Sequence, residues 1–123
     1  MMRLRPVKPR ARRIAVIVAS VPELTSRTIA DGLRTQSVGE RNFAHIQAFV
    51  DGIITVTEAE IRAAMRAIVA ATRLVPEPSG AVPVAALLFH AAELPDYKNA
   101  AAIISGGNVD PALLAEVLTE SAP

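Results

Sequence analysis

A chain of 123 residues, 51% of them hydrophobic, has enough apolar side chains for one folded domain and too many for a disordered polymer. Its net charge of +1 is unevenly spread: Arg3, Arg5, Lys8, Arg10, Arg12 and Arg13 gather in the first 13 residues with no acidic residue among them, leaving the remainder net acidic. The absence of cysteine excludes disulfides and thiolate metal sites, and three phenylalanines with one tyrosine leave little for stacking on nucleic-acid bases. Residues 1–13 are therefore expected to be a basic, disordered head, and residues 14–123 to fold.

The first element expected is a strand over residues 14–19, a continuous β-branched run of the kind that is covered on both faces. Six apolar residues before Ser20 and Pro22 are far too few to span a bilayer, so no membrane partner is expected and the chain reads as cytoplasmic. Beyond a loop containing Asp31-Gly32, the spacing of Phe43, Ile46, Phe49 and Val50 predicts a helix over 40–50 with one buried face, stopped by Asp51-Gly52.

A second short strand is expected over residues 53–56, followed by a helix whose start is marked by Thr57-Glu58-Ala59-Glu60. The Thr57 hydroxyl can accept from the amide of Glu60, and the Glu60 carboxylate from the amide of Thr57. Ile61, Met65, Ile68 and Val69 form the apolar stripe of this helix, while Arg62, Arg66 and Arg73 read as its solvated face. Residues 75–80 break the helix, and residues 81–92 are apolar enough on all sides to form a buried helix capped by Ser79. Pro83 is tolerable there only near the first turn. Residues 98–104 read as a third strand, ending in the turn Ser105-Gly106-Gly107-Asn108, and Asp110-Pro111 starts a last helix through about residue 118.

The order strand, helix, strand, helix, helix, strand, helix is an α/β pattern. The expected fold class is an incomplete three-layer αβα unit with a short, mostly parallel sheet. Three turns are candidates for chemistry. The Ser105 turn would lie beyond a strand's carboxyl end, where open α/β sheets bind ligands, although a plain strand-to-helix connection suits it equally. Glu77-Pro78-Ser79-Gly80 reads either as a capped helix start or as part of a site, and Thr28-Ile29-Ala30-Asp31-Gly32-Leu33 is a loop that propensity does not assign. His45 and His90 lie far apart on helical stretches among apolar residues, so no metal site is expected, and no nucleophile-base constellation is visible.

As an ordered set these segments resemble the C-terminal part of the threonine/serine dehydratase and serine racemase family of pyridoxal-phosphate enzymes. The resemblance is carried by Thr28-Ile29-Ala30-Asp31-Gly32-Leu33, Val50-Asp51-Gly52-Ile53, Thr57-Glu58-Ala59-Glu60-Ile61, Glu77-Pro78-Ser79-Gly80-Ala81 and Ser105-Gly106-Gly107-Asn108-Val109-Asp110, and it runs from Thr28 to about Leu118. It implies the C-terminal portion of the tryptophan synthase beta-like fold, pyridoxal phosphate as cofactor and a hydroxy amino acid as substrate, with threonine giving 2-oxobutanoate or serine giving pyruvate. By the same resemblance Ser105 faces the pyridine nitrogen, Gly106, Asn108, Glu77 and Gly80 lie around the cofactor, and Asp31 and Gly32 line the rim.

The resemblance fails at the catalytic centre. The family's Schiff-base lysine has no counterpart, because the only lysines are Lys8, in Val7-Lys8-Pro9-Arg10, and Lys98. No glycine-rich phosphate loop or acidic metal site is present either, so no catalytic residue is assigned. The chain reads as a fragment that is inactive alone and pairs with a complementing N-terminal piece or forms a homo-oligomer. The alternatives are a non-catalytic module that pairs with a full-length relative, or a small-ligand-binding α/β domain.

Overall fold

A computed structural model describes residues 28–35, 37–50, 52–94 and 99–120. In chain order they form a 3₁₀ turn (Asp31–Leu33), helices α1 (Glu40–Phe49), α2 (Glu58–Thr72) and α3 (Pro78–Phe89), a second 3₁₀ turn (Ala91–Glu93) and helix α4 (Pro111–Thr119). The run over residues 14–19, expected to be a strand, and the basic head lie outside the described residues.

Helix α2 organises the core. Its capping box forms as the sequence predicts: Thr57 Oγ1 accepts from the Glu60 amide at 3.3 Å, and Glu60 Oε2 accepts from the Thr57 amide at 2.6 Å. Ile61, Ala64, Met65 and Ile68, at three- and four-residue spacing, are buried against Ala81, Val82, Ala85 and Ala86 of α3. The alanines let the two helices approach closely, while burial of side chains as large as Ile61 or Met65 stabilises the pair by about 1.5–3 kcal/mol each. Val117 of α4 is fully buried in the same core. Asp110 starts α4 as expected, its carboxylate accepting from the Ala112 amide at 2.7 Å ahead of Pro111.

The expected sheet is the main departure. Residues 53–56 alternate between exposed and buried, with Ile53 56% exposed and Ile54 only 6%, and residues 101–105 alternate between exposed and partly buried around Ile103, which is 79% exposed. This is the period-two pattern of a half-covered strand. Yet neither segment is a strand in the structure, because a strand exists only as part of a ladder, and among the described residues neither segment has a ladder partner.

Other expectations also change. Helix α1 forms where its periodicity places it, but none of its residues is buried and Phe43 stands half exposed, so the face is apolar without being covered. Helix α3 begins three residues earlier than expected. Pro78 takes its first position, where no amide is needed, and Glu77 is the N-cap residue, so Ser79 lies inside the helix and caps nothing. Pro83 therefore sits beyond the first turn, where its missing amide leaves the Ser79 carbonyl without its helical donor. The helix is buried on one side only, and Leu88 and Phe89 at its end are exposed. Pro76, in the break between α2 and α3, is fully buried.

Candidate functional site

Two glycines join the segments around positions 77–80 and 105–108. Gly80 is buried in the first turn of α3, and a Cβ there would collide with the Ser105 carbonyl oxygen; the Ser105 carbonyl carbon and amide nitrogen would stand only 3.1 and 3.2 Å away. Only a residue without a side chain lets α3 press this closely on the main chain of another turn. In return Gly106, at φ +72°, lies directly under the Glu77 carboxyl group, which fills the space where a Cβ at position 106 would begin. Each turn thus supplies the glycine that the other needs. Gly107 follows beside the Val75 carbonyl, to which a Cβ would stand at 3.6 Å.

The loop over residues 28–33 locks onto the same place. Gly32 donates its amide to Ser79 Oγ at 3.1 Å, and Ser79 would crowd any side chain at position 32. Behind this contact, buried Thr28 accepts from the Ala30 amide, the Thr28 carbonyl accepts from Arg34 Nε and Nη2 at 3.0 and 2.7 Å, and Ile29 donates to Glu58 Oε2 at 3.1 Å. Glu58 lies in the first turn of α2, so that helix also holds the loop.

The site residues expected from sequence are therefore mostly brought together. Glu77, Gly80, Ser105 and Gly106 converge, with Ser79 and Gly32 against them, while Asp31 is exposed at the edge. Asn108 is exposed and has no side-chain hydrogen bond among the described residues. The Ser105 side chain is likewise exposed and unbonded among the described residues, so its hydroxyl can donate to, or accept from, an outside group. The neighbouring Glu77 carboxylate adds acceptors and lies just ahead of the first turn of α3.

What sequence reasoning missed is the set of links between motifs: Gly32 to Ser79, Ile29 to Glu58 and Arg34 to Thr28. The first two leave no local signal, because partners 47 and 29 positions apart meet only through the fold, whereas Arg34 and Thr28 lie six positions apart within one loop. Arg62 and Arg66 are not a solvated face either. Arg62 bonds Glu116 at 2.8 Å and Glu120 at 2.5 Å, and Arg66 bonds Glu120 at 2.8 Å, tying α2 to the end of α4. Two cations and two anions, each pair four residues apart on a helical repeat, were the available signal. Among the described residues no group of three or more histidine, cysteine or acidic side chains could hold a metal ion, and no helix is long and apolar enough to cross a membrane.

Comparison with known proteins gives these turns a setting. The profile of a family described as pyridoxal-phosphate dependent enzyme matches residues 3–106, beginning well ahead of Thr28. Serine racemase of Dictyostelium discoideum is 42% identical over 92 residues, which are 74% of this chain and 28% of the relative. A catabolic L-threonine dehydratase of Staphylococcus aureus is 41% identical over 86 residues, 68% of this chain and 25% of the relative. Among solved structures, a threonine deaminase of T.th. is similar at a TM-score of 0.63 and 49% identity, over 68% of this chain and 28% of that one. The chain thus spans about a quarter of the length of these relatives.

Proposed function

Since the chain belongs to the pyridoxal-phosphate dependent enzyme family, we propose that it forms the Ser105 side of the cofactor pocket of a threonine/serine dehydratase and is not catalytic by itself. The observation that carries this reading is the mutual fit of the two glycine turns. Gly80 admits the Ser105 main chain and Gly106 admits the Glu77 carboxyl group, which leaves Ser105 exposed next in sequence to the position that Glu77 covers.

The residues present fit one edge of the cofactor. Pyridoxal phosphate, when bound, supplies an electron-withdrawing ring that acidifies the α-proton of a hydroxy amino acid and favours loss of its β-hydroxyl. Ser105 would hold the ring nitrogen through its hydroxyl, a weak acid that leaves this nitrogen less protonated than a carboxylate partner would. Gly80 and Gly106 would fix the height of the Ser105 turn, Glu77 would lie beside it, and Asn108 would flank it on the exposed side. Asp31 and Gly32 would form the rim through the Gly32–Ser79 hydrogen bond. The other edge does not fit: Lys8 and Lys98, the only lysines, do not stand in the family's lysine motif, and no glycine run cradles a phosphate.

The test is complementation. The purified chain is mixed with a polypeptide that supplies the lysine motif and the glycine-rich loop, together with pyridoxal phosphate and L-threonine or L-serine, and 2-oxo acid is measured. The chain alone should form none, and the mixture should form 2-oxobutanoate or pyruvate in a manner lost on Ser105→Ala. No product from the mixture would overturn the split-enzyme reading.

A second reading, a non-catalytic module that pairs with a full-length relative, is favoured by the apolar side chains left in water. Ile53 and Ile103 project from segments whose alternate residues, Ile54 and Ile104, pack into the core, and Leu74 and Val75 are exposed nearby in sequence to the Glu77 turn. Light scattering after size exclusion, with and without a full-length dehydratase, separates the two: this reading requires a mixed complex without any product.

A further inference from the structure

Where α3 ends, the side chain of His90 stands between two carboxylates. Its Nδ1 lies 2.6 Å from Glu93 Oε1 on the following 3₁₀ turn, and its Nε2 lies 3.1 Å from Glu60 Oε1 on α2. Only 21% of the His90 side chain and 22% of the Glu60 side chain are exposed, whereas Glu93 is 62% exposed. Sequence reading sets His90 among apolar residues; the structure sets it in a carboxylate bridge.

Ionised carboxylate oxygens only accept hydrogen bonds. A neutral imidazole has one N–H and one lone pair, so it satisfies one carboxylate and turns its lone pair on the other. The imidazolium alone satisfies both. Three further features favour the cation. Two negative groups flank the ring, the residue is the C-cap of α3, where the helix carries its negative end, and Glu60 is held in place from its other oxygen by the Thr57 amide. Among the described residues the other charged groups on this face, Arg62 and Arg66 of α2, line a groove with Glu60 and Phe89 but are paired with Glu116 and Glu120.

We propose that His90 is a proton-operated tie between the C-terminal end of α3 and the capping box that starts α2, closed when the imidazole is doubly protonated and opened by loss of one proton. Glu60 is the shared element: Oε2 holds the Thr57 amide and Oε1 holds His90. The tie therefore couples the end of one core helix to the beginning of the other. It stands independently of any cofactor chemistry.

The direction follows from the geometry. Hydrogen bonds to Glu93 and then to Glu60 hold the imidazole's pKa above its ordinary 6.5, against a smaller opposing effect of burial. A raised folded value means that the stabilisation is complete below 6.5 and is lost as pH rises through the raised value. The tie opens on the alkaline side.

Nuclear magnetic resonance of the imidazole nitrogens of the full chain, with His90→Gln used to assign the resonance, tests this directly. The wild-type His90 should titrate above 6.5 with both nitrogens protonated in its acid form. In Glu60→Gln, which keeps an oxygen for the Thr57 amide but removes the charge, the midpoint should move back toward 6.5. Thermal melts should show the wild type losing a few degrees more than His90→Gln across the same pH rise, on the order of 4 °C. A midpoint at or below 6.5, or one unmoved by Glu60→Gln, overturns the proposal; so does an identical pH profile of melting in wild type and His90→Gln. Should a variant fail to fold, the wild-type titration alone decides.

Discussion

The carboxyl group of Glu77 occupies the space in which a side chain at position 106 would begin, and Gly106 in turn holds φ +72°. This contact and its counterpart, Gly80 against the Ser105 carbonyl, can be broken separately. Gly106→Ala should cost about 1–2 kcal/mol from the left-handed backbone, plus displacement of the flexible Glu77. Gly80→Ala meets main chain, which cannot swing aside, and should cost at least as much, about 1–3 kcal/mol. Urea denaturation of both variants checks the order, and adding Glu77→Ala to Gly106→Ala should recover only the steric part. A Gly80→Ala protein as stable as wild type would mean that the two turns do not touch.

The link between Gly32 and Ser79 predicts a local effect. Ser79→Ala removes the acceptor of the Gly32 amide and should destabilise by about 1 kcal/mol. Hydrogen exchange at Gly32 should accelerate, while Ser79→Thr, which retains a hydroxyl, should restore protection. Unchanged exchange in Ser79→Ala would remove this link.

The capping box predicts an acid limb of stability. Burial on its own would raise the Glu60 pKa, but the Thr57 amide first, and then His90, outweigh it and hold the value below the ordinary 4.5. A depressed folded value means that the contribution is present above 4.5 and is lost as pH falls through the lowered value. Melts recorded through and below pH 4.5 should therefore fall more steeply for wild type than for Glu60→Gln. At neutral pH, Thr57→Ala should cost about 1 kcal/mol through loss of the cap.

The arginine network between α2 and α4 should matter little at high salt. Glu120 accepts from both Arg62 and Arg66 and is partly exposed, so Glu120→Gln should cost no more than about 1 kcal/mol. The difference from wild type, followed by urea denaturation, should shrink as sodium chloride is raised, because screening weakens exposed pairs. A difference that persists undiminished would mean that packing, and not charge, holds the end of α4.

Arg73, at the end of α2, holds φ 64°; its amide donates to the Val69 carbonyl, and its side chain makes only an exposed hydrogen bond to the Ala70 carbonyl. Arg73→Gly should stabilise the chain by up to about 1 kcal/mol, because glycine adopts this conformation without strain. Thermal denaturation gives the sign.

Local chemistry is legible throughout the chain. The capping box of α2, its stripe of Ile61, Met65 and Ile68, and the Asp110 cap with Pro111 follow from interactions within one or two turns, and all stand as read. The turns at Glu77 and Ser105 are also recognisable as candidates, since glycine beside serine marks a place where backbone comes close to something. What each glycine faces is not legible, because Gly80 and Ser105 are brought together only by the packing of α3 against the rest of the core.

The differences between expectation and structure have the same origin. Residues 53–56 and 101–105 carry the alternating burial of strands, but pairing is a relationship between segments, and none forms among the described residues. The apolar pattern of α1 gives a helix and cannot say whether a partner will cover it. Ser79 reads as a cap only if Pro78 lies outside the helix, and His90 reads as a core residue because its two carboxylates come from elsewhere in the chain. By itself, then, the sequence determined the helices, the caps of α2 and α4 and the residues able to do chemistry, since propensity, capping and side-chain reactivity act over a few positions. Only the tertiary structure decided that Gly80 meets Ser105, that Glu77 meets Gly106 and that His90 meets Glu60, because contacts between distant residues exist only once a common core has been buried.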